Sequence, residues 1–131
     1  MADALQDIRA RLELDWSTPI VVRATPQDLR VPPAAEQTLR LLVREAVVNA
    51  LKHAQPSRVS VDIELADPST LRIVVTNDGR GFPFRGRRTD EELQAANAGP
   101  VSLRERVVSA GGSLVIESMA TGSRVEVILP V

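Results

Sequence analysis

The sequence predicts an α/β fold: a two-layer sandwich, with a mixed sheet of about five strands carrying helices on one face. Three observations predict it. Residues 34–54 carry one apolar stripe at helical spacing. Val59, Val61, Ile63 and Leu65 alternate with polar residues, the period of a half-buried strand. Single helical segments separate runs of strands, in the order helix, strand, helix, strand, strand, loop, helix, strand, strand.

Taken in order, Asp3 to Leu14 sets Leu5, Ile8 and Leu12 on one helical face with charges opposite. Such a helix packs on its own domain or ends a preceding one. We read residues 1–17 as a helix or connector from a preceding domain and 18–131 as one domain. Pro19 to Thr25 is β-branched and bounded by prolines, a strand. Pro32-Pro33 stops extended structure, and Pro33 suits the first turn of a helix. From Ala34 to Ala54 the stripe is Leu39, Leu42, Val43, Ala46, Val47, Ala50 and Leu51, ended by Gln55-Pro56. The strand from Val59 turns at Asp67 to Thr70 and returns as Leu71 to Thr76, with Leu71, Ile73 and Val75 on one face. Asn77 to Pro100 is polar, rich in glycine and arginine, and aperiodic apart from one helical turn around Asp90 to Ala96. A connection of that length is usually functional or mobile. Val101 to Ala110 reads as a helix with Val101, Leu103, Val107 and Val108 as its apolar residues, capped by Gly111-Gly112. Leu114 to Ser118 and Arg124 to Leu129 form a second hairpin, turned at 120–123. No internal repeat is evident.

Composition removes several classes of function. The 131 residues suit one domain. Without cysteine there is no disulfide framework and no thiolate metal site; a single histidine excludes a multi-histidine one. Sixteen basic and 17 acidic residues leave a net charge of −1, with no basic footprint for nucleic acid. No apolar run approaches the roughly 20 residues that span a bilayer, and no signal-peptide pattern opens the chain. A soluble, cytoplasmic domain is expected, compatible with a membrane-anchored parent.

Two motifs carry candidate chemistry. Glu45 and Asn49 lie four residues apart, on one helical face. Asparagine offers a hard, neutral oxygen that suits Mg²⁺ sharing phosphate oxygens, and Glu45 could orient a metal-bound water. Lys52 and His53 follow one turn later and could direct donors at phosphates. The plain alternative is a solvated polar face. In Asp78-Gly79-Arg80-Gly81 an acid follows a strand, with glycines that let a flat ligand approach. An ionised carboxylate only accepts, so it selects an exocyclic amine such as that of adenine. A simple tight turn is the alternative. Arg80, Arg85, Arg87 and Arg88 read as a solvated cluster beside Asp90, Glu91 and Glu92, or as a lid meeting a triphosphate. Neither a Walker loop nor a Gly-x-Ser-x-Gly elbow occurs.

These residues carry a family signature. Glu45-Ala-Val-Val-Asn49-Ala-Leu-Lys52-His53-Ala54, then Asn77-Asp78-Gly79-Arg80-Gly81-Phe82, then Leu103-Arg-Glu-Arg-Val107, Gly111-Gly112 and Gly122-Ser123 follow one another in order. Over residues 18–131 the chain resembles the ATP-binding catalytic domain of bacterial two-component sensor histidine kinases, in the GHKL (gyrase–chaperone–kinase–MutL) superfamily, with the Bergerat fold. It is most similar to the nitrate/desiccation-type subfamily.

The resemblance implies an enzyme fragment that binds ATP and Mg²⁺. Asn49 would hold the metal, with Glu45 beside it as a catalytic residue. Lys52 and His53 would line the phosphate side. Asp78 would bind the adenine amine, with Gly79 and Gly81 allowing close approach. Ser123 would stand where the family usually has threonine and support Asp78 through water. Phe82 and Gly99 join the nucleotide-binding set, and Arg85 to Gly99 would form the lid. The implied partners are the histidine-containing dimerisation domain of a parent kinase and a response regulator. The chain alone is not expected to autophosphorylate.

One departure concerns the second glycine box, usually Gly-x-Gly-Leu-x-Gly-Met. Here it reads Asn97-Ala-Gly99-Pro100-Val-Ser102-Leu103, with one glycine of three and a proline that lacks an N–H. Two other readings stay open: an anti-sigma-type serine kinase of the same superfamily, and a non-catalytic interaction module.

Overall fold

A computed structural model of the chain describes residues 2–97 and 99–131. Ala98, inside the altered glycine box, lies outside them. In chain order come α1 (Ala2–Trp16), β1 (Ile20–Thr25), α2 (Pro33–His53), β2 (Val59–Asp67), β3 (Thr70–Asn77), β4 (Gly86–Thr89), α3 (Asp90–Ala95), α4 (Val101–Ser109), β5 (Ser113–Met119) and β6 (Gly122–Pro130). Among the described residues, six strands form one sheet in the order β1-β2-β3-β6-β5-β4. β1 and β2 are parallel, joined through α2 as a crossover needs. The other pairs are antiparallel. The mixed α/β sandwich is as predicted, with one strand more.

The pattern of side chains explains the layers. Val59, Val61 and Ile63 of β2, Leu71, Ile73 and Val75 of β3, Leu114 and Ile116 of β5, and Val125, Val127 and Leu129 of β6 are all buried. They meet Leu39, Leu42, Val43, Val47 and Leu51 of α2, Leu103 and Val107 of α4, and Leu5 and Leu12 of α1 in one core. Each such side chain contributes about 1.5–3 kcal/mol by leaving water. Between these positions the strands carry cross-strand ion pairs, Arg72 with Glu64 at 2.7 Å and with Glu126 at 3.1 Å, and Arg23 with Asp62 at 3.0 Å. Helix α2 starts with Pro33 in its first turn and ends where the Ala54 N–H donates to Ala50 O. At the β2–β3 turn, Asp67 Oδ1 accepts from Ser69 N at 2.9 Å.

The loop expected after Asn77 and the apolar face expected on α4 are both corrected. The stretch after Asn77 is not all loop, because β4 pairs with β5 at the sheet edge. Gly86-Arg-Arg-Thr89 has no apolar alternation, so only its backbone ladder makes it a strand. The helical turn expected around Asp90 to Ala96 is present as a short helix, opened by a capping box in which Thr89 Oγ1 accepts from Glu92 N, and held by buried Leu93. On α4, Val101 and Val108 are 43% and 51% exposed. In so short a helix only Leu103 and Val107, four apart, reach the core. No helix among the described residues is long and apolar enough to cross a membrane.

Candidate functional site

Helix α2 changes character along its length. Its buried face is Leu39, Leu42, Val43, Val47 and Leu51, and beside the last of these run Ala46, Ala50 and the C-cap Ala54 at intervals of four. Missing side-chain volume on the second half leaves a cleft of about 860 Å³ between α2 and the sheet, a size that suits a small-molecule ligand. Asn49 and His53 stand with these alanines in its wall. The floor is Val75 and Asn77 of β3 beside Val125 and Ser123 of β6. Val75 faces Val125 and Asn77 faces Ser123 in the β3–β6 register, so an apolar pair lies next to a polar one. The rim is Gly81 to Arg85 on one side and Gly99, Pro100 and Leu103 on the other.

Of the residues expected in the site, Asn49, His53, Gly81, Phe82, Gly99 and Ser123 line the cleft. Glu45, Lys52, Asp78 and Gly79 are not in its lining. Glu45 lies one step beyond the alanine stripe, since residues advance about 100° each around a helix. Its Oε2 accepts from Arg106 Nε of α4 at 2.8 Å. Lys52 falls on the same flank and is exposed.

Asp78 stands farthest from its expected place. Side chains alternate along a strand, and Leu71, Ile73, Val75 and Asn77 share the inner face. The next residue therefore leaves the cleft. The Asp78 carboxylate accepts from Ser57 N at 2.8 Å, Arg58 N at 3.0 Å and the Ser57 hydroxyl. The Ser57 hydroxyl most of all, then the Arg58 N–H, hold this carboxyl below the usual carboxylate range, against a lesser opposing effect of desolvation. Asp78 thus fastens the segment after α2 to the end of β3. Asn77 stands in the cleft instead: its Nδ2 donates to Ser123 Oγ at 2.8 Å, and its Oδ1 accepts from Gly79 N at 2.9 Å.

The first two glycines also serve the protein's own backbone. A Cβ at Gly79 would collide with the Ala54 carbonyl, which accepts the Arg80 N–H at 2.9 Å. A Cβ at Gly81 would collide with the Met119 carbonyl and the Ser118 hydroxyl. These contacts bring the end of β3 against α2 and β5. Gly99, at φ +78°, packs on Leu93.

Several cleft residues escaped the sequence reading. Pro83 and Phe84 are among them, while Arg80 and Arg85, weighed there as a solvated cluster or as a lid meeting a triphosphate, both line the cleft. Arg80 Nη2 donates to Gln55 Oε1 at 2.5 Å, and Arg85 Nη1 donates to the carbonyls of Phe82 and Phe84. The Phe82 and Phe84 rings stack with centroids 5.7 Å apart. Among the described residues no group of three or more His, Cys, Asp or Glu could hold a metal alone. The oxygen available in the cleft wall is the Asn49 amide, which fits a Mg²⁺ shared with ligand phosphates and water. Pro100 is the N-cap of α4, so its missing N–H leaves the donors of the first turn from Val101 onward intact.

The family described as histidine kinase-, DNA gyrase B-, and HSP90-like ATPase matches residues 34–131. The chain is 30% identical over 120 residues to the sensor protein VraS of Staphylococcus aureus, a match covering 91% of this chain and 33% of that protein. It is 30% identical over 114 residues to the sensor histidine kinase LiaS of Bacillus subtilis, covering 86% of this chain and 30% of LiaS. The chain therefore spans about a third of these relatives' length. Among solved structures, the histidine kinase domain of a blue-light activated kinase from Erythrobacter litoralis EL346 superposes with a TM-score of 0.71 at 25% identity, covering 98% of this chain and 60% of that one. Full-length ShkA, solved with AMPPNP, gives 0.71 at 17% identity over 98% of this chain and 29% of its own, a likeness of fold alone.

Proposed function

Because the chain belongs to the histidine kinase-, DNA gyrase B- and HSP90-like ATPase family, we propose that its cleft takes Mg-ATP and presents the γ-phosphoryl group to a histidine on a separate dimerisation domain. The domain is of the histidine-kinase ATP-binding type. The observation that carries the fuller reading is the cleft itself, which sets Asn49 and His53 on a helix wall above a floor of Val75, Val125, Asn77 and Ser123. A flat base suits the small, apolar part of that surface, between Ala50 and the two valines. The triphosphate then runs toward Asn49, with Arg80 and Arg85 as cations on the rim and the α4 start supplying N–H donors. Bound Mg²⁺ would neutralise phosphate charge and bridge its oxygens. Asn49 supplies the protein's oxygen to it. His53 lines the phosphate side, Phe82 and Gly99 border the nucleotide, and Lys52 reaches phosphate only by swinging over the α2 flank.

Residues 1–17 belong to this reading as the connector from a preceding domain and 18–131 as the catalytic unit. The parent would be a cytoplasmic-facing two-component sensor kinase that passes the phosphoryl group on to a response regulator. The Glu-Ala-x-x-Asn-Ala-x-Lys-His-Ala run of α2 supports the nitrate/desiccation-type subfamily within it.

Calorimetric titration of the chain with AMPPNP, with and without Mg²⁺, tests the reading. Saturable binding that strengthens with Mg²⁺ is expected. A folded chain that binds nothing at millimolar nucleotide overturns it. Transfer of label from γ-³²P ATP to a histidine of the parent separates it from a serine kinase or a non-catalytic module.

A further inference from the structure

We infer that residues 82–97 form a fixed wall of the cleft, in place before any nucleotide arrives, and not a cover that the nucleotide draws shut. The inference rests on the nucleotide reading above for the identity of the ligand and adds how that ligand gains entry. A segment that waits for a ligand to order it makes few contacts of its own. This one is tied to the protein at its start, its middle and its end. At the start, the Ser118 hydroxyl of β5 donates to Phe82 O at 3.3 Å. Arg85 Nη1 donates to the same carbonyl at 3.0 Å and to Phe84 O at 2.9 Å, so the turn between them closes on itself. The chain has two phenylalanines, and both are used here. Their rings stack, and the Arg88 guanidinium lies 5.5 Å from the Phe84 ring centre.

In the middle, Gly86 to Thr89 pairs with Val115 to Ser118 of β5. At the end, Thr89 N–H donates to Glu92 Oε1 at 3.3 Å, and Leu93 is buried with Gly99 packed against it. All of these partners are the protein's own. Ordering a free segment of this length costs conformational entropy residue by residue. Folding already orders this one, so the ligand meets a preformed rim and loses no binding energy to making it. The gap between Gly81 to Arg85 on one side and Gly99, Pro100 and Leu103 on the other is then a standing entrance to the cleft.

Hydrogen–deuterium exchange of the whole chain, read on peptides covering residues 86–95, is the test. Without nucleotide, exchange there is expected to be at least about tenfold slower than in the isolated peptide of the same sequence. AMPPNP with Mg²⁺ should slow it no more than it slows the floor strands β3 and β6. Exchange in the free chain that falls short of that protection overturns the inference, because the segment is then loose until a ligand orders it. A gain on adding AMPPNP that exceeds the gain in β3 and β6 overturns it as well. Both results leave the nucleotide reading standing, since AMPPNP binding is followed separately by calorimetry. Protection of residues 86–95 in a chain that binds no AMPPNP upholds the fixed wall and overturns the nucleotide reading instead. The wild-type chain supplies every arm of this comparison, so no variant has to fold.

Discussion

Arg106 Nε donates to Glu45 Oε2 at 2.8 Å, joining α4 to α2, two helices that both line the cleft. The Arg106 side chain is 43% exposed, so solvent screens the pair and its worth is about 1 kcal/mol or less. Glu45→Ala should therefore cost no more than that in urea denaturation. It should also leave the affinity for AMPPNP unchanged, because the carboxylate is not in the cleft lining. A collapse of affinity in a folded Glu45→Ala would put this residue back against the ligand.

Asn49 gives the opposite expectation. Alanine is a better helix former than asparagine by several tenths of a kcal/mol, so Asn49→Ala should be as stable as the wild type or slightly more so. The gain in AMPPNP affinity on adding Mg²⁺ should disappear in the variant, and chelation by EDTA should weaken only the wild type. Calorimetry with and without the metal reads both effects. An undiminished Mg²⁺ effect in Asn49→Ala would remove Asn49 from the metal site.

Asp78 should show its work in acid rather than in binding. Its folded pKa is depressed by the Ser57 hydroxyl and the Arg58 N–H. The stability it adds is thus fully present above its ordinary value of 3.8 and is lost as pH falls through the lower folded value. Asp78→Asn should flatten the loss of stability below that pH, measured by thermal melts from neutral pH downward. Nucleotide affinity at neutral pH should not change. A loss of ATP binding in a folded Asp78→Asn would mean that the carboxylate faces the base.

Around Asp78 the sequence was legible in part. The inner-face parity of Leu71, Ile73 and Val75 was readable, and continued by two it arrives at Asn77. The acid one position on carries the motif resemblance, but its side chain must leave the sheet on the other side. The long helix, both hairpins and α4 were legible because their apolar periodicity is strong. β4 was not: Gly86 to Thr89 is an edge strand made by backbone pairing with β5, and its side chains carry no trace of it. The glycines were legible as close-approach positions, but not what approaches. At Gly79 it is the Ala54 carbonyl, three-dimensional information that no local pattern holds.

That contact makes a stability prediction. Gly79→Ala places a methyl group against the Ala54 carbonyl, a backbone atom fixed by its bond from Arg80 N. The collision cannot be relieved by a side-chain rotation. A cost of about 1–3 kcal/mol is expected, as for overpacking elsewhere, read as a lower urea midpoint with an unchanged slope. Wild-type stability in Gly79→Ala would mean that α2 and the end of β3 separate readily.

The alanine stripe of α2 permits a separation of folding from binding. Ala50 is half-buried in the cleft wall, between Ala46 and Ala54. Ala50→Leu continues the leucine face of the first half of the helix into the second. Leucine is nearly as good a helix former as alanine, and its larger side chain, laid over the buried floor valines, adds apolar burial of its own at about 25 cal/mol per Å². The melting temperature should hold or rise. The added side chain occupies the space between α2 and Val75 and Val125, where the flat part of the ligand is placed, so AMPPNP affinity should fall by at least about tenfold. Ala50→Ser, of nearly the original size, should bind as the wild type does. If Ala50→Leu is folded and binds AMPPNP undiminished, the nucleotide lies elsewhere and the cleft between α2 and the sheet is not its seat.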